Sequence, residues 1–265
     1  MRLSGSRVLL TGASGGLGQA IAHALAAAGT HVVLTGRRRD VLDDLAVQIG
    51  EGAEVIPADL ADRTSLRHLF DLAGQIDVVV ANAALPASGP LLGFELDTID
   101  RCLEVNLRAP IALARLYAPG MVERGKGHLS FISSLAGVSA TPGSSIYSAT
   151  KFGLRGFSHG LRQDLHGTGV SASVVLPGFV RDVGMFVDSG ATLPPGVRTS
   201  SPRQVADAVI RSVVKDKAEL IVAPGEVHAG ALISSVAPAL AASFIRRLGG
   251  HRLATNIADG QKDKS

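Results

Sequence analysis

A tyrosine and a lysine four positions apart are the residues with the clearest chemical potential. Tyr147 and Lys151 occur in the segment YSATK, so on a helix they lie on one face, one turn apart. A phenol with an ordinary pKa of about 10 transfers protons poorly near neutral pH. A nearby positive charge favours the phenolate and lowers that pKa. The pair therefore predicts proton transfer to or from a carbonyl or an alcohol.

A glycine-rich segment near the N-terminus indicates what accompanies that proton. TGASGGLG, residues 11–18, follows an apolar strand pattern and opens a helical one. Glycines let the backbone approach a pyrophosphate, and a helix N-terminus offers unpaired N–H groups and a positive dipole. We predict a dinucleotide site here and hence hydride transfer. A glycine-rich loop without a ligand is the alternative, and the strand-before, helix-after context disfavours it.

The end of the second strand pattern indicates which dinucleotide binds. Three arginines occupy positions 37–39, and no carboxylate precedes Asp40. A carboxylate there would bond the ribose 2′-hydroxyl of NAD, whereas a guanidinium binds a 2′-phosphate. The predicted cofactor is NADP(H), with Arg37 as the main phosphate ligand and Arg38 or Arg39 assisting. The alternative is that the arginines solvate the start of a helix.

Short apolar runs alternate with helical patterns along the chain. Runs such as VVV at 78–80 are apolar throughout, which is typical of strands buried on both faces of a parallel sheet. We expect an α/β fold: a Rossmann-like, doubly wound, mainly parallel seven-stranded sheet with helices on both faces. The predicted strands are 7–11, 31–35, 53–57, 77–81, 128–133, 170–176 and 219–223. The predicted helices are 16–28, 39–49, 62–73, 95–118, 145–167 and 202–215.

No linker, repeat or low-complexity tract interrupts this alternation. We expect a single dinucleotide-binding and catalytic domain over 1–253, ending in an apolar helix at 228–248, and a polar tail at 254–265. Loops at 82–94 and 178–200 are rich in Gly, Pro and Ser and follow strand ends. Ligands bind at that edge of such sheets, so these loops are expected to flank the site.

Composition narrows the classes of function. The 265 residues are 46% apolar, and the formal charge of +3 comes from dispersed Lys and Arg without an aromatic-rich strand, which disfavours nucleic-acid binding. One cysteine, Cys102, excludes an internal disulfide and fits a reducing compartment. With no signal-peptide pattern, a cytoplasmic location is expected. The eight histidines show no metal-ligand spacing, so no metal site is expected.

Residues 229–245 contain no charged side chain and precede Arg246 and Arg247. This stretch is interrupted by Pro238 and serines and is short of the roughly 20 apolar residues that a membrane span needs. A packed or subunit-interface helix is favoured over peripheral membrane contact through 229–247.

In this order and spacing, the motifs resemble those of the short-chain dehydrogenase/reductase family in its single-domain, NADP-preferring form. The resemblance covers about residues 5–225. Besides TGASGGLG and YSATK, it rests on Asp59-Leu60, ANAA at 81–84, Asn106 in VNL, Ser134 in ISS, and Pro177-Gly178.

The resemblance implies roles for four catalytic residues. Ser134 would hold the substrate oxygen, and Tyr147 would be the acid/base, with Lys151 lowering its pKa. Asn106 would support a water that relays protons to Lys151. Lys151 would also bond the nicotinamide ribose.

The resemblance also implies the cofactor contacts. Asp59 would contact the adenine, Asn82 would lie along the adenosine ribose, and the backbone of Val180 would meet the carboxamide. Two departures from the family pattern are Ala84 for a glycine and Asp182 for a threonine. The expected cofactor-binding residues are Gly12, Ser14, Gly15, Gly16, Leu17, Gly18, Arg37, Asp59, Leu60, Asn82, Ala83, Tyr147, Lys151, Pro177, Gly178 and Val180.

The expected activity is an NADP(H)-dependent interconversion of a carbonyl and an alcohol. Residues near the predicted mouth are mostly apolar, so a lipophilic ketone, aldehyde or secondary alcohol is the expected substrate; they are Leu135, Val138, Phe179, Met185, Phe186 and Leu193. A 3-oxoacyl thioester reductase is one alternative. A non-catalytic dinucleotide sensor or scaffold is another, which the presence of Ser134, Tyr147 and Lys151 disfavours. Helices 95–118 and 145–167 resemble the family's dimerising pair and imply a homodimer or homotetramer.

Overall fold

A computed structural model describes residues 1–190, 193, 198–237 and 239. Seven strands form one sheet in the order β3-β2-β1-β4-β5-β6-β7, and every neighbouring pair is parallel. This confirms the predicted fold. The strands are β1 (Arg7–Thr11), β2 (His31–Thr35), β3 (Ala53–Val55), β4 (Val78–Ala81), β5 (Gly127–Ile132), β6 (Val170–Pro177) and β7 (Glu219–Val222).

Helices follow the strands in the described part of the chain and cover both faces of the sheet. They are α1 (Gly16–Ala27), α2 (Arg39–Ile49), α3 (Arg63–Ala73), α4 (Leu96–Leu103), α5 (Ala109–Glu123), α6 (Ser145–Asp164), α7 (Met185–Asp188), α8 (Pro202–Val214) and α9 (Gly225–Val236). The single helix predicted over 95–118 is instead α4 and α5, joined by a π-helical turn at Glu104–Arg108. Five residues in that turn wind more widely than an α-helix, which shifts the face that α5 presents.

Alternating side chains of the strands bury two separate apolar layers. On β1, Val8 and Leu10 pack with residues of α1, α2 and α8, whereas Leu9 packs with residues of α3, α5 and α6. A fully buried Leu or Val contributes about 1.5–3 kcal/mol relative to its exposed state. The two layers therefore hold the carboxyl ends of the strands in fixed positions.

The strand order reverses between β1 and β4. The chain goes from β1 outward to β2 and β3 and then returns to place β4 on the other side of β1. The connections after β1 and β4 consequently lead to opposite sides and leave a crevice at the carboxyl edge, where ligands of doubly wound sheets bind. The glycine-rich segment follows β1 and the 82–94 loop follows β4, so both lie at this crevice.

The last described helix, α9 (Gly225–Val236), begins three residues before the apolar helix expected at 228–248 and covers its first part. It buries Ala231 and Ser234 against the rest of the protein and exposes Leu232, Ile233 and Val236. Apart from residue 239, the part of the expected helix beyond residue 237 lies outside the described residues, and so does the polar tail expected at 254–265. Within the described ranges, no helix is long and apolar enough to cross a membrane.

Candidate active site

Tyr147 and Ser134 meet at the carboxyl edge of the sheet. Ser134 follows β5 and caps a short 3₁₀ turn, where its hydroxyl accepts the backbone N–H of Ala136 at 3.1 Å. Tyr147 lies in the first turn of α6, and its hydroxyl is hydrogen-bonded to the Ser134 side chain. Two hydroxyls from different elements thus converge on one point, where both can contact a substrate oxygen.

Lys151 is almost completely buried beside this pair. Its Nζ donates to the carbonyl oxygen of Ile132 at 2.9 Å and lies 5.5 Å from the centroid of the Tyr147 ring. The Lys151 carbonyl accepts the Ser133 hydroxyl at 2.9 Å. Two hydrogen bonds therefore fix α6 to the end of β5. Burial lowers the pKa of Lys151 to about 8, so this ammonium can release a proton near neutral pH.

The expected lowering of the Tyr147 pKa by Lys151 is wrong for this arrangement. Burial raises the pKa of Tyr147 to about 12, and the hydrogen bond with Ser134 lowers it only in part. The reason is that the ammonium is directed to the Ile132 carbonyl rather than to the phenol. Tyr147 therefore keeps its proton at neutral pH. It is a weaker acid than a free phenol, but it can still protonate the alkoxide that carbonyl reduction produces, because an alcohol is a weaker acid again.

Asn106 lies inside the π-helical turn and is fully buried. Its Oδ1 accepts the Leu85 N–H at 2.7 Å, and its Nδ2 donates to the Leu85 carbonyl at 2.9 Å. Nδ2 also lies 3.5 Å from the Thr150 hydroxyl, which in turn donates to the Tyr147 carbonyl at 2.7 Å. The side chain thus ties the loop after β4 to α6. The water relay to Lys151 stays a prediction, because these contacts do not include Lys151.

At two positions of the glycine-rich turn, backbone atoms leave no space for a side chain. Gly12 has φ +65°, which favours glycine, and a Cβ on it would lie 2.7 Å from the Cα of Ala83. A Cβ on Gly18 would lie 2.1 Å from the Gly12 carbonyl oxygen. The turn is therefore compact, and α1 begins directly after it without a side-chain cap on its N-terminal N–H groups.

The other residues of the turn have distinct surroundings. Gly15 N–H donates to the Gly12 carbonyl at 3.1 Å, Ser14 is buried, and Leu17 packs against the apolar layer of α1 and α8. Val183, which follows β6 and which sequence reasoning missed, lies against Gly16: a Cβ on that glycine would be 2.6 Å from the Val183 Cβ.

Asn82 and Ala83 are held by the end of β1. The Thr11 hydroxyl accepts the N–H groups of both residues at 3.0 Å, and Asn82 Nδ2 donates to the Thr11 carbonyl at 3.0 Å. The loop after β4 is therefore fastened to the glycine-rich turn across the crevice. Thr11 was missed as a positioning residue, although a hydroxyl at the carboxyl end of a strand is a signal for such a role.

The arginines at the end of β2 face different neighbours. The Arg38 guanidinium donates to the carbonyl oxygen of Ser14 and so lies against the glycine-rich turn. Arg37 is exposed and lies close enough to Asp59 for its positive charge to lower the pKa of that carboxyl. Arg39 pairs with Asp43 at 3.4 Å within α2. Two of the three arginines therefore border the crevice.

Asp59 follows β3 and is held by three groups. Its Oδ1 accepts the Ala61 N–H at 3.0 Å, its Oδ2 accepts Arg101 at 2.9 Å, and its own N–H donates to the Ser65 hydroxyl at 3.0 Å. Partial burial raises the pKa of Asp59, but the Ala61 N–H and the charges of Arg101 and Arg37 outweigh it and hold that pKa below 3.8. Sequence reasoning missed Arg101. Leu60, next to Asp59, is buried in the apolar layer.

The segment after β6 lies on the other side of the crevice. Pro177 ends β6, and the Gly178 N–H donates to the Val222 carbonyl at 3.0 Å. Val180 forms an isolated parallel bridge with Ser200. Asp182, in the position of the family's threonine, has φ +70°, and its Oδ2 lies 3.5 Å from Arg181 Nε.

The expected apolar mouth is formed in part. The rings of Phe179 and Phe186 are in contact, with centroids 5.1 Å apart and ring planes tilted by 59°, and Leu135 packs near Gly178. Val138 is 3% exposed and belongs to the core, so it does not line the mouth as expected. Its neighbour Ser139 donates to Ser234 at 2.7 Å, which ties α9 to the segment that follows Ser134. Among the described residues, no group of three His, Cys, Asp or Glu side chains could hold a metal ion.

The residues around the crevice fit a dinucleotide. The turn where Gly12 and Gly18 exclude side chains, the uncapped start of α1 and the two bordering arginines suit a phosphate-containing ligand. Asp59 lies at one end of the crevice beyond β3, and the Ser134–Tyr147 pair lies beyond β5. An extended ligand with adenine at one end and a reactive ring at the other matches this arrangement.

Comparisons with known proteins agree with this geometry. The family model described as short chain dehydrogenase matches residues 6–193. The chain belongs to this family. It is an oxidoreductase, an NAD(P)-dependent dehydrogenase or reductase acting on CH–OH or carbonyl groups.

The chain is 40% identical over 227 residues to the ketoacyl reductase HetN of Nostoc sp., covering 83% of this chain and 79% of that protein. Among solved structures, a putative betaketoacyl-ACP reductase has a TM-score of 0.78 and 30% identity, with 85% of this chain and 99% of that one covered. A metagenomic short-chain oxidoreductase in complex with NADP has a TM-score of 0.72 and 32% identity, with 84% and 99% covered.

Proposed function

We propose that this protein is an NADP(H)-dependent reductase that interconverts a lipophilic carbonyl compound and its alcohol. The observation that carries the proposal is the convergence of the Ser134 and Tyr147 hydroxyls beside the buried ammonium of Lys151. Reduction of a carbonyl leaves negative charge on its oxygen. Donors placed at that oxygen stabilise the transition state more than the ground state.

The residues would divide the steps as follows. When bound, the dinucleotide would supply a hydride from its nicotinamide ring. Ser134 donates a hydrogen bond to the substrate oxygen and orients it against Tyr147. Tyr147, whose pKa of about 12 keeps it protonated, gives its proton to that oxygen. Lys151, with a pKa of about 8, can then release a proton, which would reach the phenol through water because the ammonium itself is directed to the Ile132 carbonyl.

The preference for NADP(H) is supported by the charges at the crevice. Arg38, which contacts the glycine-rich turn, and Arg37, beside Asp59, provide two guanidinium groups at the expected position of a 2′-phosphate, and no carboxylate follows β2 before Asp40. Guanidinium binds phosphate through two parallel hydrogen bonds, whereas a hydroxyl offers no matching charge.

A 3-oxoacyl thioester is the second candidate substrate. HetN is named a ketoacyl reductase, and one structural neighbour is titled a putative betaketoacyl-ACP reductase. A 3-oxoacyl chain is a lipophilic ketone, so the apolar rings of Phe179 and Phe186 suit it as well. A non-catalytic sensor would bind the dinucleotide in the same crevice but would not need the Ser134–Tyr147 pair.

The test is a substrate panel read by the absorbance of the reduced nicotinamide ring. Aliphatic, aromatic and steroid-like ketones, aldehydes and a 3-oxoacyl thioester are offered with NADPH and with NADH. Turnover with NADPH on at least one class supports the proposal. NADPH binding without turnover on any of them favours the sensor, and turnover on the thioester alone selects the second candidate.

We also propose a cytoplasmic homo-oligomer. Leu103 on α4 and Phe152 on the adjoining α6 are large apolar side chains left exposed on the helices that resemble the family's dimerising pair. Cys102, the one cysteine, is buried and free, which fits a reducing compartment. Sedimentation of the wild type and of Phe152→Glu tests the assembly: a dimer or tetramer that the variant dissociates is expected, and a wild-type monomer contradicts it.

A further inference from the structure

The ion pair between Asp59 and Arg101 joins two distant parts of the chain at the crevice. Asp59 follows β3, and Arg101 lies on α4, 42 positions later. Both side chains are 38% exposed, so the pair lies at the surface and has access to a ligand. Surface ion pairs contribute little to stability. A stabilising role alone therefore gives little reason for this contact.

The contacts of Asp59 fix the direction of its carboxylate. The Ala61 N–H takes one lone pair of Oδ1, and the Arg101 guanidinium takes one lone pair of Oδ2. Each carboxylate oxygen has two lone pairs, so each oxygen can accept one more hydrogen bond. An aspartate carboxylate is ionised at neutral pH and hence a pure acceptor, and the Ala61 N–H and the charges of Arg101 and Arg37 stabilise this form further.

The neighbouring arginines have other partners. Arg63 and Arg108 both pair with Glu104 of the π-helical turn, at 3.2 and 3.1 Å. Arg101 alone among these three contacts Asp59. It therefore provides a direct link from α4 to the carboxylate at the adenine end of the crevice.

We propose that Arg101 is a positioning residue for cofactor recognition: it holds the Asp59 carboxylate so that the free lone pairs accept the exocyclic amino group of the adenine. This deepens the proposed function and rests on it. A carboxylate accepts hydrogen bonds from an amino group and repels a carbonyl oxygen. The position of Arg101 should consequently decide how well the protein distinguishes adenine from hypoxanthine, in which a carbonyl replaces the amino group.

The experiment compares dissociation constants for NADPH and for reduced nicotinamide hypoxanthine dinucleotide phosphate, measured by nicotinamide fluorescence. The wild type should prefer the adenine form by about tenfold, the size of one charge-assisted hydrogen bond. Arg101→Gln should reduce this preference to less than threefold, and Arg101→Lys should restore part of it. Arg63→Gln is the matched control, a neighbouring arginine whose partner is Glu104, and should keep the wild-type preference.

The outcomes separate this inference from the proposed function. A wild type that binds neither nucleotide contradicts the NADP(H) site itself. A wild type that binds both nucleotides equally, or an Arg101→Gln variant with the full preference, overturns only the role of Arg101. Thermal unfolding is measured in parallel. A change in the preference ratio at an unchanged melting temperature is an effect that a merely structural role would not produce.

Discussion

The hydroxyls of Tyr147 and Ser134 are hydrogen-bonded to each other although they belong to different elements. Ser134 caps the turn after β5, and Tyr147 lies in the first turn of α6. The carbonyl of Lys151 and the hydroxyl of Ser133 join the same two elements at 2.9 Å. The two elements are therefore also joined by a contact that does not involve the Tyr147 hydroxyl, which makes this hydroxyl a separable part of the site.

Replacing Tyr147 with Phe should remove turnover and leave cofactor binding intact. General acid catalysis contributes about 10²–10⁴-fold to a rate, so kcat on any ketone that the wild type reduces should fall at least hundredfold. The NADPH dissociation constant should change less than threefold, because the ring remains. Both quantities are measured by nicotinamide absorbance and fluorescence.

Tyr117→Phe is the matched control, at the chain's other tyrosine. The Tyr117 hydroxyl is buried and has no hydrogen-bond partner among the described residues. Removing an unsatisfied buried hydroxyl should leave kcat unchanged and stability equal or higher. If Tyr147→Phe retained more than a tenth of the wild-type kcat while Tyr117→Phe behaved as expected, Tyr147 would not be the proton donor.

Lys151 should give the protein a measurable pH dependence of stability. Its pKa is about 8 in the folded protein and 10.5 for the free side chain. Between these values the unfolded state binds more protons than the folded state, so the free energy of unfolding rises with pH. From pH 8 to pH 9.5 the gain from this group is about 1.5 kcal/mol, since one pKa unit corresponds to about 1.4 kcal/mol.

Urea unfolding of the wild type and of Lys151→Met at both pH values measures this gain. The difference between the two proteins isolates Lys151, because the remaining titrating groups are common to both. This interval also stays below the pKa of Tyr147. A wild type that gains no stability relative to Lys151→Met as the pH rises would show that the ammonium is not desolvated in the folded protein.

Arg37 and Arg38 should decide between the two dinucleotides. Hydrogen bonds to charged groups contribute about 1.5–3 kcal/mol, so Arg38→Gln and Arg37→Gln should each weaken NADPH binding tenfold or more. Binding of NADH, which lacks the 2′-phosphate, should change less than threefold. Isothermal titration with both cofactors measures the two effects.

Arg39→Gln is the control for the loss of one positive charge in this region, because Arg39 pairs with Asp43 on α2. It should keep the NADPH preference of the wild type. Equal losses for NADPH and NADH in all three variants would mean that these arginines support the fold rather than the phosphate.

The sequence predicts the strands and the short motifs well because their signals are local. Val78-Val79-Val80 is apolar on both faces, as a buried parallel strand requires, and it lies in β4. Helix α8 begins at Pro202 with Ser201 as its cap, where the Ser201 hydroxyl accepts the Gln204 N–H at 3.2 Å. Each of these features depends on side chains only a few positions apart.

The features that sequence reasoning missed depend on distant partners or on desolvation. The pairing of Arg101 with Asp59 spans 42 positions and leaves no local pattern. The π-helical turn around Asn106 interrupts a helical pattern whose apolar residues continue on both sides. The direction of Lys151 depends on the need of a buried ammonium for an acceptor, which the Ile132 carbonyl provides.

Gly18 is the position where the glycine-rich turn should tolerate a side chain least. A Cβ there would lie 2.1 Å from the Gly12 carbonyl oxygen, so Gly18→Ala must move the backbone of the turn away from the start of α1. The dissociation constant for NADPH should rise tenfold or more, and the melting temperature should fall. Fluorescence titration and thermal unfolding measure the two effects.

Gly160→Ala is the control, because Gly160 is an exposed residue inside α6 and no described atom lies within 4 Å of its ideal Cβ. Alanine in a helix interior is favoured over glycine by about 0.5–1 kcal/mol, so this variant should be more stable than the wild type and bind NADPH equally well. Normal NADPH binding by Gly18→Ala would show that the turn can open without loss, and the compact cradle would then not be what holds the pyrophosphate.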